Sequence, residues 1–384
     1  MKARGVHLQY RFETGGQHGA TLHNPLFDLL GAVHEQGSIQ HAAKAMGASY
    51  RHVWGQLKAW QETLGEPLVT WAQGQPARLT PFAERLLWAE TRARTRLTPH
   101  IEALRAELER VLADALDGGP QGLAGHGLTV FASHDLALPL LRELASSQQG
   151  LHLSLRFAGS VDALQALAQG RCAVAGFHVP PLQGGAHPFA AVMRRWLRPG
   201  VHKLIGCLRR TLGLMVRPGN PLGLRGLVDL VGTAPGGARF VNRQSGSGTR
   251  LLIDHLLARQ GIAAAQIPGY LGPPEDSHVA VAAAIGSGLA DVGPGIEAAA
   301  AQFGLGFVPL IDEDYFLVCL KDTLDHPALL KLRSALASPA WPEALRQLPG
   351  YAPSQPGQVL ALTQALPWWR FKTARPLLGA AEPG

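Results

Sequence analysis

The densest chemistry in this 384-residue chain is the segment Asn242-Arg243-Gln244-Ser245-Gly246-Ser247-Gly248-Thr249-Arg250. It follows a segment that reads as a strand and opens one that reads as a helix. Its glycines let backbone N–H groups turn toward a ligand, with Gly246 at the centre. Ser245, Ser247 and Thr249 add hydroxyls, and a helix N-terminus favours negative charge. The chemistry this suits is capture of a small anion. Arg243 and Arg250 either add charge to that site or pair with carboxylates of the protein. The plainer alternative is a Gly-rich connection leading to a capped helix. Neither a GxxxxGK[ST] phosphate loop nor a GxSxG nucleophile elbow is present.

Two further loops belong with it. Ser133, in Phe131-Ala-Ser-His-Asp135, ends one strand, and Ser160, after Gly159, begins a helix beyond the next. Ligands of α/β sheets bind at such carboxyl ends of strands, although a serine at a helix start is also an ordinary cap. His278 beside Ser277 is the one histidine ranked as a ligand contact. The sixteen histidines form no HxH or HExxH pattern, so no metal site is expected. Asp312, Glu313 and Asp314 read as a solvated acidic loop. No nucleophile–base pair is recognisable, so no catalytic residue, enzyme activity or cofactor is expected. Cys172, Cys207 and Cys319 are too scattered for a disulfide framework and read as buried thiols.

The elements that must hold these loops alternate between strand and helix. Strands are expected over Leu128–Ser133, Leu151–Phe157, Ala173–His178, Leu212–Val216, Arg239–Asn242, Asp291–Gly293 and Phe316–Leu320. Helices are expected over Asp135–Ser146, Ser160–Ala168, Gly248–Gln260 and around Val279–Gly288. That order is α/β with two lobes. A linker, DGGPQGLAGHG, occupies residues 117–127 and separates residues 128–384 from a different unit, residues 1–116. The first unit opens with a period-2 strand at Val6–Phe12 and then turns helical. The tail after Leu366 reads as irregular.

Within the first unit, GSIQHAAKAMGASYRHVWGQLKAW reads as helix, tight turn, helix. Ser38 and Ser49 are caps, Gly47 suits a left-handed turn, and Ala42 and Ala43 let two helices cross closely. Val53, Leu57, Trp60 and Leu64 face a core. Ser38, Gln40, Ser49, Tyr50, Arg51 and Lys58 are then the candidates for base edges and phosphates. Two short strands, Leu68–Trp71 and Ala77–Leu79, bracket a wing in which Gln75 and Arg78 lie near the DNA backbone. A long helix from Thr80 to Leu116 carries an apolar stripe, with a kink or break expected at Pro99.

Net charge supports this only locally. The chain is +7, but residues 1–116 hold 13 Lys and Arg against 11 Asp and Glu. The window from Gln36 to Gln61 is the informative part: it has no acidic residue and contains Lys44, Arg51 and Lys58. A duplex repels carboxylates, so a DNA-facing surface needs such a window. No run approaches the ~18 apolar residues of a membrane span, and the N-terminus lacks a signal-peptide core. A cytoplasmic location with no membrane partner is expected.

GSIQHAAKAMGASYRHVWGQLKAW, followed by LGEPLV and ARLTPFAERLL, resembles the N-terminal winged helix of ModE-type regulators, relatives of the LysR type. FASHD, RPGNPLG, FVNRQSGSGTRLLID, EDSHVAVAAAIGSGLADVGPGIEAA and GFVPLIDEDYFLV resemble the periplasmic-binding-protein-like domain fused to such winged helices. The resemblance implies a winged helix-turn-helix with a long dimerisation helix, then a two-lobed type II domain. It implies a homodimer reading a two-fold operator in double-stranded DNA. It also implies an oxyanion effector such as molybdate or tungstate. By motif match, Ser133, Ser160, Ser245, Gly246, Ser247, Thr249, Ser277, His278 and Tyr315 line the cleft. Arg243 with Arg250 equally suits a small carboxylate. A cytosolic binding or storage protein is the competing class.

Overall fold

The computed structural model describes residues 24–70, 77–116, 127–182, 187–231 and 237–369. The strand expected at Val6–Phe12, the linker up to residue 126, the wing tip with Gln75, and the tail beyond residue 369 lie outside them.

Asn24 caps α1 (Pro25–Gln36), its side chain accepting from the Leu26 N–H. α2 (Ile39–Ala45) and α3 (Tyr50–Leu64) follow, capped by Ser38 and Ser49. Between them Gly47 sits at φ +64°, where a side chain would strain the backbone. β1 (Val69–Thr70) and β2 (Arg78–Leu79) pair antiparallel as the base of the wing. Leu29, Leu30, Val33, Ala42, Ala43, Val53 and Leu57 form the core, with Trp60 and Leu64 packed at its edge. α4 (Pro81–Leu116) is one 36-residue helix. Pro99 lies inside it and does not end it, so of the kink or break expected there the break is overturned. A proline removes one intrahelical hydrogen bond, and the helix continues past that loss.

The second unit runs β3 (Gly127–Ala132), α5 (Leu138–Gln149), β4 (His152–Phe157), α6 (Ser160–Ala168), β5 (Val174–Val179), α7 (Ala190–Trp196) and β6 (His202–Val216). Then come α8 (Gly248–Arg259), α9 (His278–Gly286), β7 (Val292–Ile296), α10 (Glu297–Gln302) and β8 (Gly306–Leu320). α11 (Pro327–Ala337), α12 (Ala340–Leu345), β9 (Tyr351–Pro353), β10 (Val359–Ala361) and α13 (Leu362–Ala365) close it.

The sheet order is β10-β6-β8-β5-β3-β4, with β7 and β9 also on β6. β3 is parallel to β4 and β5, and β8 is antiparallel to both β5 and β6. The 15-residue strands β6 and β8 are far longer than the sequence suggests, and they join the two lobes. Leu208, Leu317 and Cys319 sit in a core with α5, α11 and α12. Leu212, Leu214 and Val308 sit in a second core with α8 and α9. Bulges at Gly206/Leu208 and Leu212/Gly213 bend the pair where it passes between them. The strand expected at Arg239–Asn242 is instead an isolated bridge from Phe240 to Val292. All three cysteines are buried and free.

α4 packs on the second unit. Trp88 lies against Gly286 of α9 and stacks on Phe303 at 5.8 Å between ring centroids. Among the described residues no helix is long and apolar enough to cross a membrane.

Candidate functional site

The helix-turn-helix presents one buried and one polar face. Val53 and Leu57 of α3 are buried, and Tyr50, Arg51 and Lys58 are exposed. The helical period makes that split, since these side chains project from opposite sides. Gln40 on α2 and Arg78 on β2 are exposed as well. Ser38 and Ser49 are spent on the helix ends: their hydroxyls accept from the N–H of His41 at 3.4 Å and of His52 at 3.2 Å.

The second unit brings together more charge than the sequence suggests. Arg210 of β6 is 3% exposed. Its guanidinium donates to Glu313 on β8 at 2.8 Å and to Asp135 after β3 at 2.8 Å. The acidic run expected as a solvated loop is therefore strand, which is a correction. Arg209, Arg210 and Thr211 stand opposite Asp314, Glu313 and Asp312 in register, and each pair is joined by a hydrogen bond. The pleat then turns Arg210 and Glu313 inward and their neighbours out.

Asp135 also accepts from the Ala137 N–H at 2.8 Å, from the Tyr351 hydroxyl at 3.1 Å and from His178 Nε2 at 3.1 Å. Burial alone would raise its pKa, but the hydrogen bond from His178 and the Arg210 charge outweigh it and hold the carboxyl well below the usual range. Arg210 is likewise held charged: burial opposes the charge, and Glu313 and Asp135 prevail.

An ionised Asp135 can only accept, so His178 Nε2 carries a proton; in the neutral ring Nδ1 then accepts from the Ser133 hydroxyl at 3.1 Å. Burial and then Arg210 keep the His178 pKa lowered. Serine, histidine and aspartate in series is the chain that activates nucleophiles. Here the Ser133 N–H is taken by the Gly176 carbonyl, and Asp135 is shared with Arg210 and Tyr351. The Tyr315 hydroxyl donates to the Ser133 carbonyl at 3.3 Å. It occupies the space a Gly176 side chain would need, which accounts for glycine there.

His278, whose Nε2 is 3.4 Å from Arg210 Nη2, and Arg243 stand beside this cluster. Arg243 is 7% exposed, and its Nη2 donates to the Asp276 carbonyl at 2.9 Å. Its Nε is buried with no hydrogen-bond partner among the described residues, and so is Nδ1 of His278, which is 3% exposed. Burial, followed by the Arg210 charge, pulls the Arg243 pKa down to about 10. Burial, then Arg243 and Arg210, hold His278 well below the ordinary histidine value. Half-buried His134 falls to about 4, again chiefly by burial.

The remaining sequence candidates separate into those near this cluster and those turned from it. Ser160 and Thr249 are buried, and the Ser160 hydroxyl lies 4.0 Å from where a Gly248 Cβ would stand. Two of the three expected loops therefore meet. Ser247 and Ser277 cap α8 and α9. Ser245 and Gly246 are exposed. Arg250 is engaged elsewhere: its Nε donates to Asp254 at 2.9 Å and its guanidinium lies 4.8 Å over the Tyr270 ring. Arg210, Glu313, Asp135, His178 and Tyr351 were not read from the sequence. The available signal was a basic pair, Arg209-Arg210, whose charges complement the Glu313-Asp314 pair. Among the described residues no cluster of His, Cys, Asp or Glu is arranged to hold a metal ion.

Comparisons with known proteins follow the same division. Residues 141–337 match the PBP superfamily domain, and residues 26–84 match the bacterial regulatory helix-turn-helix protein, lysR family. The uncharacterized protein YvgK of Bacillus subtilis (strain 168) is 31% identical over 240 residues, covering 62% of this chain and 75% of that protein. The molybdenum-pterin-binding protein MopB of Rhodobacter capsulatus is 38% identical over 91 residues, 23% of this chain and 31% of MopB. Full-length CbnR in complex with its target DNA aligns at 17% identity and a TM-score of 0.39, over 81% of this chain and 96% of that one. A winged helix-turn-helix thus precedes an α/β mixed-sheet domain, and the chain belongs to the PBP superfamily, with a lysR-family helix-turn-helix at its head.

Proposed function

We propose that this protein is a transcriptional regulator that binds operator DNA as a homodimer and changes its DNA affinity when a small anion binds between Arg243 and His278. One observation carries the reading. α4, which leaves the winged helix, forms an ion pair from Arg92 to buried Glu275, and Glu275 is hydrogen-bonded through its backbone to both neighbours of Arg243. An anion acting on Arg243 is therefore one residue from the DNA-binding unit. Buried, unpartnered donors favour an anion, because leaving them unmet costs about 1–3 kcal/mol each. Molybdate or tungstate, implied by the ModE-like resemblance and consistent with the name of MopB, and small carboxylates are the anion classes to compare.

A groove of about 600 Å³ between α4 and α9 is lined by Trp88, Ala93, Leu97 and Leu289. Leu97, Leu104 and Leu289 are exposed, and a second copy of α4 would cover this apolar surface.

The DNA half is tested with Arg51→Ala and Lys58→Ala in a salt titration. Each lost phosphate contact should lower affinity and make the salt slope shallower by about one. Unaltered DNA binding in both variants would favour a binding or storage protein instead.

A further inference from the structure

The charge the site can offer follows from its hydrogen bonds. Arg210 is committed to Glu313 and Asp135. The excess negative charge of that trio is met by neutral donors on Asp135, from Ala137, His178 and Tyr351. Burial and the Arg210 charge keep His178 neutral, and Ser133 then spends its proton on it. Arg210 Nη2 lies 3.4 Å from His278 Nε2. A guanidinium only donates, so Nε2 is an acceptor and the single proton of His278 sits on Nδ1. A second proton on that ring would face Arg210 head-on.

The other charges around His278 are accounted for. Arg92, on α4, is paired with Glu275. Asp276 is exposed, and its backbone carbonyl holds Arg243. Glu297 of α10 packs against Gly350. Among the described residues Arg243 makes no ion pair. It supplies one positive charge, and His278 supplies one neutral N–H.

We propose, building on the anion reading above, that the effector is a singly charged small carboxylate, and that doubly charged oxyanions are selected against. A carboxylate matches the planar guanidinium fork and keeps a lone pair free to accept from His278 Nδ1. The second charge of a dianion would face the buried trio of Arg210, Glu313 and Asp135, whose net charge is negative, across a low-dielectric site.

The test is calorimetric titration of the full chain with sodium formate, sodium acetate and sodium molybdate at about pH 8, alongside the Arg243→Gln variant. The expected result is that at least one carboxylate binds ten-fold or more tightly than molybdate, and that R243Q loses it. Molybdate binding equally or more tightly overturns the proposal, as does carboxylate binding that R243Q leaves intact. Binding of none of the three overturns the anion reading itself, and this proposal with it.

Discussion

Arg92 of α4 and Glu275 are joined by an ion pair in which the glutamate side chain has no exposed surface and the arginine is 31% exposed. The pair ties the helix that follows the winged helix to the loop that carries Asp276 and Ser277 and leads into His278 at the start of α9. Removing Arg92 takes a charged partner from a buried carboxylate, which costs about 3–5 kcal/mol. Arg92→Met should therefore lower the melting temperature measurably. It should leave both acetate binding and DNA binding measurable and reduce the effect of one on the other. Thermodynamic coupling is reciprocal, so the same reduction should be read from either side. Full coupling in R92M would place the connection elsewhere.

Arg243 gives the opposite stability effect. Its charge is buried, and its pKa is lowered to about 10 by burial and by Arg210, so the folded protein holds it at a cost. Arg243→Met should leave the ligand-free protein as stable as the parent, or more stable by up to about 1 kcal/mol. It should also abolish stabilisation by the anion. Differential scanning calorimetry with and without ligand reads both. A large loss of ligand-free stability would show that Arg243 supports the fold instead.

How the site was and was not legible follows from the range of its contacts. The segment Asn242–Arg250 was found because strand, glycine turn and helix cap are local signals. α6 matches its expected bounds, Ser160–Ala168, for the same reason. The helix-turn-helix was legible from its caps, small residues and spacing. Arg210 and Glu313 are 103 residues apart, and only the pairing of β6 with β8 turns a basic pair and an acidic run into a buried ion pair. Arg250 looked equivalent to Arg243 in sequence, but Asp254 lies four residues on, one helical turn away, and captures it.

The buried histidines fix the acid side of the stability curve. His178 and His278 have folded-state pKa values below the ordinary one, first through burial and then through neighbouring arginines. An unfolded chain protonates them near about pH 6.5 while the folded chain resists. Their contribution is fully present above that pH and is lost as pH falls below it, at up to ~1.4 kcal/mol per pH unit for each. Melting temperatures should be flat from about pH 8 to about pH 7 and should fall below about pH 6.5. A flat profile down to about pH 5 would show that these rings protonate freely in the folded state.

The exposed leucines of α4 bear on assembly. Leu97 is 42% exposed and Leu104 is 52% exposed, and they lie seven residues apart on one side of the helix. Leu97→Asp combined with Leu104→Asp should convert a dimer to a monomer in light scattering while the circular dichroism spectrum is unchanged. A parent that is itself monomeric would remove the two-fold operator from the account.

The most direct test measures the affinity of the full chain for a duplex recovered by selection from a random library, by fluorescence anisotropy, with and without saturating anion. The account predicts that the anion identified by calorimetry shifts the DNA Kd by about five-fold or more, and that Arg243→Gln removes the shift without removing DNA binding. An identical Kd in the presence and absence of an anion shown to be bound would contradict it.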